Sequence, residues 1–205
     1  DDLSGYRLVH IAALRSASRQ LEFLVACRQR GATRVSIGTY ARVVVLEAEN
    51  VQTLIQQADL FFMNENEADT LFGSVEDSYA QPGRLLFVTM GHQGARVVQG
   101  GYATIVSAPE TDEVDPTGAG DSFAGGFVGY LAAMEDQDAG AFRRASILGS
   151  VMGSFAVASF SVDRLTSLTR LEITGRFQEF SELVNFDALA PTETLPWRGD
   201  TSVRG

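Results

Sequence analysis

Asp115-Pro116-Thr117-Gly118-Ala119-Gly120-Asp121 runs directly into Ser122-Phe123-Ala124-Gly125-Gly126-Phe127, and this junction decides how the rest of the chain is read. Small residues lead into an apolar helical period, with a carboxylate in the first turn. Backbone amides at Gly118, Ala119 and Gly120 can point at an anion, and the positive end of the helix dipole favours negative charge there. The stretch reads as a phosphate site with a base, Asp121, beside it. A plain helix start competes with this reading: the glycines would then serve the turn, and Asp121 would only complement the dipole.

Two better-known phosphate loops do not fit. The dinucleotide fingerprint would need its third glycine at Phe123. A Walker loop needs a lysine, and all 16 basic residues of the chain are arginine. The same lack of lysine removes Schiff-base catalysis. Phosphate chemistry must therefore rest on backbone amides, arginine and metal ions.

The motif resembles the second signature of the ribokinase-like carbohydrate kinases, the PfkB family, which runs Asp-x-Thr-Gly-Ala-Gly-Asp-x-Phe. Each specified position is filled by Asp115, Thr117, Gly118, Ala119, Gly120, Asp121 and Phe123. The resemblance implies an anion hole for the transferred phosphoryl group at Gly118, Ala119 and Gly120. It makes Asp121 the general base toward the acceptor hydroxyl and sets Thr117 near the nucleotide. It also implies ATP and Mg²⁺, and around Asp115 a region that holds a monovalent cation such as K⁺ in many members.

Composition is compatible with that expectation. At 205 residues and 45% hydrophobic content, the chain can bury a substantial core. A formal net charge of -10 argues against nucleic acid or an anionic membrane as the main partner. The single Cys27 cannot form an internal disulfide, and no secretory leader or long apolar span appears, so a cytoplasmic location is expected. His10, His92 and Cys27 form no zinc pattern, which leaves a hard, oxygen-bound ion as the expected metal.

Hydrophobic periodicity predicts strands at 6–12, 33–37 and 60–63, with helices at 18–30, 50–58 and 65–72 between and after them. This is the βαβ rhythm of a parallel sheet with helices on its faces. Strands at 84–90 and 95–99, joined through Gly91-His92-Gln93-Gly94, predict an antiparallel hairpin at the edge, and 102–106 a further strand. Helices are expected from Ala119 onward, at 141–160 and at 171–184. Gly125, Gly126 and Gly129 are expected to admit a close backbone neighbour. Residues 1–185 thus form the expected α/β core, and 186–205 an irregular tail.

Ligands of open α/β sheets gather past the carboxyl ends of the strands. After the strand at 60–63 comes Asn64-Glu65-Asn66-Glu67, which is similar to the family's Asn-x-x-Glu motif. By resemblance, Asn64 serves the phosphate region and Glu67 organises Mg²⁺, often through water. The same spacing suits a capping box, with Asn64 as N-cap and Glu67 as its partner.

Thr89-Met90-Gly91-His92-Gln93-Gly94 resembles the family's Thr-x-Gly-x-x-Gly segment, which puts Thr89 and Gly91 near the nucleotide; His92 reads as a surface turn residue. Arg42 follows the strand at 33–37, where several family members carry Asp-x-Asn-x-Arg, and is a candidate for phosphate or substrate. Gly38 and Tyr40 depart from that pattern, and an exposed arginine without a role explains Arg42 equally well. Residues 145–159 resemble the small-residue segment bordering the adenine pocket, though helix packing uses small residues too.

The resemblance implies phosphotransfer from ATP to a sugar, a nucleoside or a related small alcohol. It corresponds to the C-terminal two-thirds of a typical member, without the first strands and the β-sheet lid. A homodimer is one assembly it allows, since family dimers often form through that lid. A nucleotide-binding or scaffold protein is the alternative expected if residue 1 is the true start.

Overall fold

The computed structural model describes residues 2–135 and 138–184. The chain divides into two compact units, Asp1–Ile105 and Val106–Gly205. The segment 186–205, expected as an irregular tail, lies outside the described residues.

One six-stranded sheet follows chain order: β1 (Val9–Ile11), β2 (Val35–Gly38), β3 (Leu60–Asn64), β4 (Leu85–Thr89), β5 (Ala95–Gln99) and β6 (Tyr102–Val106). The first four strands pair in parallel, and β5 runs antiparallel to β4, as the short glycine-bounded link requires. Leu60, Phe61, Phe62 and Met63 of β3 are all buried, which explains its unbroken apolar run. β1 is shorter than the apolar stretch at 6–12 suggests, because pairing with β2 covers only Val9 to Ile11.

The helices of this unit are α1 (Ala17–Gln29), α2 (Ala41–Leu46), α3 (Ala48–Gln57) and α4 (Glu65–Phe72). Ser16 starts α1 by accepting the Arg19 amide at 3.3 Å, and Val51, Leu54 and Ile55 form the buried stripe of α3. Helix α2 is absent from the sequence expectation, which assigns no element between the strand at 33–37 and the helix at 50–58. Its Val43, Val44 and Val45 are poor helix formers, so burial of Val43 and Val44 decides the conformation. At the opposite end of the sheet, Asp59 accepts the Val35 amide at 2.7 Å and pairs with Arg28 and Arg84, tying the starts of β2, β3 and β4.

The second unit contains α5 (Ala119–Ala133), α6 (Ala139–Val157), α7 (Asp163–Ser167) and α8 (Arg170–Leu183). Phe123, Phe127, Tyr130 and Leu131 form the buried stripe of α5. A Cβ on Gly126 would lie 2.9 Å from the Leu148 carbonyl oxygen, and one on Gly149 the same distance from that of Phe123. Only glycine lets α5 and α6 come this close. The expected close-packing face narrows accordingly, since Gly125 and Gly129 have nothing within 4 Å of such a Cβ. The short α7 is also unforeseen; its Arg164 pairs with Glu172 of α8 at 2.6 Å.

Candidate functional site

In the second unit the glycine-rich turn is fastened before it begins. The Val157 carbonyl at the end of α6 accepts the amides of Val114 at 2.8 Å and Asp115 at 3.2 Å. The Asp115 carboxylate then accepts the Thr117 amide at 2.9 Å, folding the chain back on itself. That amide, the Thr117 hydroxyl and the Ser161 amide hold the Asp115 carboxyl below the usual carboxylate range.

Gly118 caps α5 with φ 84° and ψ 0°, a left-handed conformation that favours glycine. With no side chain to bond the first turn, its helix amides stay available. Ala119 is the exception, because its amide closes the turn on the Pro116 carbonyl at 3.2 Å. Among the described residues the amides of Gly118, Gly120 and Asp121 have no acceptor. The candidate anion cradle therefore shifts by one amide, from Gly118, Ala119 and Gly120 to Gly118, Gly120 and Asp121. The Asp121 side chain is exposed in the first turn of the helix.

In the first unit, the β3–β4 register sets Asn64 opposite Thr89 at the carboxyl ends of the strands. Asn64 caps α4 by accepting the Glu67 amide at 3.0 Å. One Glu67 oxygen accepts the Asn64 amide at 2.9 Å and the other its side-chain Nδ2 at 3.0 Å. The capping box anticipated from the spacing is thus complete, and Glu67 is only 2% exposed. The Thr89 hydroxyl donates to the Met63 carbonyl at 3.3 Å. Gly91, at φ 56°, opens the short 3-10 turn Gly91–Gln93, in which His92 is exposed. Asn64, Glu67, Thr89 and Gly91 therefore meet at one end of the sheet.

Arg42 lies apart from that group, on the first turn of α2. It lines an open cavity of about 620 Å³ past the ends of β1 and β2, together with Ala13, Leu14, Arg15, Tyr40 and Leu46. Sequence reasoning missed Arg15, although the rule that drew attention to the loop after β2 applies equally to the loop after β1. It also missed Gln20 on α1, fully buried, whose Nε2 donates to the Ala12 carbonyl at 2.9 Å and the Gly38 carbonyl at 2.8 Å. That amide ties the loop after β1, which bears Arg15, to the end of β2, ahead of the helix that bears Arg42.

Ala145, Ser146 and Ser150 of the small-residue segment are buried within α6, as close helix packing requires. Among the described residues no three His, Cys, Asp or Glu side chains cluster as a metal site. No described helix is long and apolar enough to cross a membrane.

Comparison with known proteins adds an independent line. Residues 5–165 match the profile of the pfkB family carbohydrate kinases. The chain is 29% identical over 133 residues to a cytidine kinase of Thermococcus kodakarensis, covering 60% of this chain and 48% of that protein. Among solved structures, aminoimidazole riboside kinase from Salmonella enterica, complexed with aminoimidazole riboside and an ATP analogue, superposes with a TM-score of 0.69. Its identity is 19%, with 83% of this chain and 62% of that one covered, so it supports the fold. Fructokinase from Vibrio cholerae, with fructose, ADP and calcium bound, gives a TM-score of 0.63 at 25% identity, covering 75% and 55% respectively. The chain spans about half the length of that cytidine kinase and under two-thirds of either solved structure.

Proposed function

Because the chain belongs to the pfkB family of carbohydrate kinases, we propose that it acts in ATP-dependent phosphotransfer to a hydroxyl of a sugar, a nucleoside or a related small alcohol. The observation that carries this reading is the Gly118 turn, which presents acceptor-free amides at a helix N-terminus beside an exposed carboxylate. Amides so arranged fit the phosphates of ATP, because they need no reorganisation when the anion arrives. Similarity to a cytidine kinase and a fructokinase supports both acceptor classes.

In this mechanism Asp121 takes the proton of the acceptor hydroxyl as its oxygen bonds to phosphorus and the bond to the departing ADP breaks. The amides of Gly118, Gly120 and Asp121 hold the charge on the phosphoryl group, while Ala119 keeps the turn closed. Phosphoryl transfer depends chiefly on such positioning and charge stabilisation. In the second unit Thr117, whose amide is fixed by Asp115, is a proposed nucleotide contact; in the first unit Thr89 and Gly91 past β4 are proposed as such, with Asn64 opposite Thr89.

Mg²⁺, when bound, neutralises phosphate charge. Both Glu67 oxygens are engaged by Asn64, which positions the carboxylate to act through water rather than as a direct ligand. That donor set fits a cation that keeps its waters, and Glu67 is proposed to organise Mg²⁺ through them. Asp115, held anionic by its amide donors, is the proposed region for a monovalent cation such as K⁺.

The test is a phosphorylation screen of the intact protein with ATP and Mg²⁺ over sugars and nucleosides. Transfer to at least one of these acceptors is expected. ATP binding without transfer to any of them would leave a nucleotide-binding protein instead.

A further inference from the structure

We propose that Arg176 of α8 is a positioning residue for the phosphate-binding turn, acting through the last turn of α6. This inference rests on the kinase reading and adds a residue that no motif assigns. The Arg176 guanidinium lies 3.9 Å from the centroid of the Phe155 ring, and its Nη1 donates to the Ser154 hydroxyl at 3.0 Å. Ser154 in turn donates to the Val151 carbonyl at 2.7 Å. Phe155 is 2% exposed, and an apolar side chain at position 176 would cover it without the cost of desolvating a charge. Arginine adds direction: its planar fork stacks on one neighbour while bonding the next, which fixes the last turn of α6 in rotation as well as in place.

That turn of helix carries the start of the glycine motif. Gly149, Gly153 and Val157 follow at i, i+4 spacing along one face of α6. A Cβ on Gly149 would lie 2.9 Å from the Phe123 carbonyl oxygen and one on Gly153 3.4 Å from that of Ala119. The Val157 carbonyl accepts the amides of Val114 and Asp115. The same face therefore supports the first turn of α5 and grips the segment ahead of it. From Asp115 the chain of bonds continues through its carboxylate to the Thr117 amide, next to Gly118.

The residues beyond α6 close the arrangement from the other side. Ser161, at φ 58°, is the one left-handed non-glycine residue among the described residues, and its amide reaches the Asp115 carboxylate. Such a conformation persists only where its surroundings hold it. Here the Arg164 amide donates to the Ser159 hydroxyl at 3.1 Å. The Arg164 guanidinium lies 5.2 Å from the same Phe155 ring while paired with Glu172 of α8. Helix α8 thus anchors both sides of the Asp115 grip, through Arg176 before the end of α6 and through Glu172 and Arg164 after it. A shift of that end moves the amides of Gly118, Gly120 and Asp121, and a displacement of about 1 Å in groups that position a reacting centre lowers its rate about 100-fold.

The experiment is residue-resolved amide hydrogen exchange by NMR on the intact protein and on Arg176→Met, which keeps bulk over Phe155 and removes the fork. Expected is at least tenfold faster exchange of the Val114 and Asp115 amides, with those of Phe61 and Phe87 in the sheet unchanged within twofold. Ser154→Ala removes the acceptor and leaves the stacking; it is expected to open the same two amides, and it decides the matter should Arg176→Met not fold. With the best acceptor from the screen, kcat should fall at least fivefold in either folded variant. The acceptor KM should stay within twofold, since the turn holds the phosphoryl group and not the acceptor. A purely structural arginine gives a lower melting temperature with unchanged kcat below it. That result, unchanged exchange at Val114 and Asp115, or equal acceleration throughout α5 and α6 would overturn the proposal. Exchange needs no turnover: if the screen finds no acceptor, the kinase reading fails, and the Val114 and Asp115 amides alone decide whether Arg176 braces the turn.

Discussion

Asn64 and Glu67 hold each other through three hydrogen bonds at the carboxyl end of β3, two of them to the two oxygens of one nearly buried carboxylate. The pair is at once the start of α4 and a proposed part of the phosphate region, so its two roles have to be separated by measurement. Asn64→Ala removes the cap and the side-chain donor of the buried carboxylate while the backbone amide stays, and a loss of about 1–3 kcal/mol in chemical denaturation is expected. Glu67→Gln keeps the shape of the box. The expected result is a higher Mg²⁺ concentration for half-maximal rate, whereas an unchanged Mg²⁺ profile returns Glu67 to capping alone.

The approach of α5 and α6 yields a contrast between two glycines. A methyl group at Gly149 meets the Phe123 carbonyl oxygen at 2.9 Å and the Phe123 ring at 3.0 Å. Gly149→Ala is expected to destabilise by about 1–3 kcal/mol through overpacking. Gly125 has nothing within 4 Å of an added Cβ, and its substitution by alanine should stabilise by about 0.5–1 kcal/mol. Thermal melts of the two variants check the pair, and equal shifts in one direction would contradict the packing described.

Acid should release the start of α8. The Glu172 carboxyl is lowered from 4.5 to about 2, chiefly by the Thr169 hydroxyl and then by Arg164 and the Thr169 amide. A depressed folded-state value means that the unfolded state binds the proton more readily. The contribution of Glu172 is therefore present above about pH 4.5 and is lost as pH falls through its folded value near 2. Between those limits, the stability of Glu172→Gln should depend less on pH than that of the unsubstituted chain. Parallel curves would contradict the assignment.

Much of the fold was legible because its signals were local. The helix Glu65–Phe72 followed from Asn64, Glu67 and Gly73, and the hairpin of β4 and β5 from its glycine-bounded link. Helix α2 was not legible, since Val43 and Val44 become helical only through burial by residues distant in sequence. The glycine turn was read at the right place, but which amides stay open depended on the Ala119–Pro116 bond, which no residue pattern announces. Arg15 went unread for a similar reason: nothing in its own neighbourhood reveals that Gln20 ties its loop to the end of β2, ahead of Arg42.

The central claim is that Asp121 accepts the acceptor's proton beside the open amides of the Gly118 turn. Its most direct test is the turnover of Asp121→Asn, measured with the best acceptor from the screen alongside ATP affinity and a thermal melt. The exposed side chain predicts a nearly unchanged melt and ATP affinity, with kcat reduced by about 10²–10⁴-fold, the usual worth of a general base. Turnover at the unsubstituted rate would contradict the account.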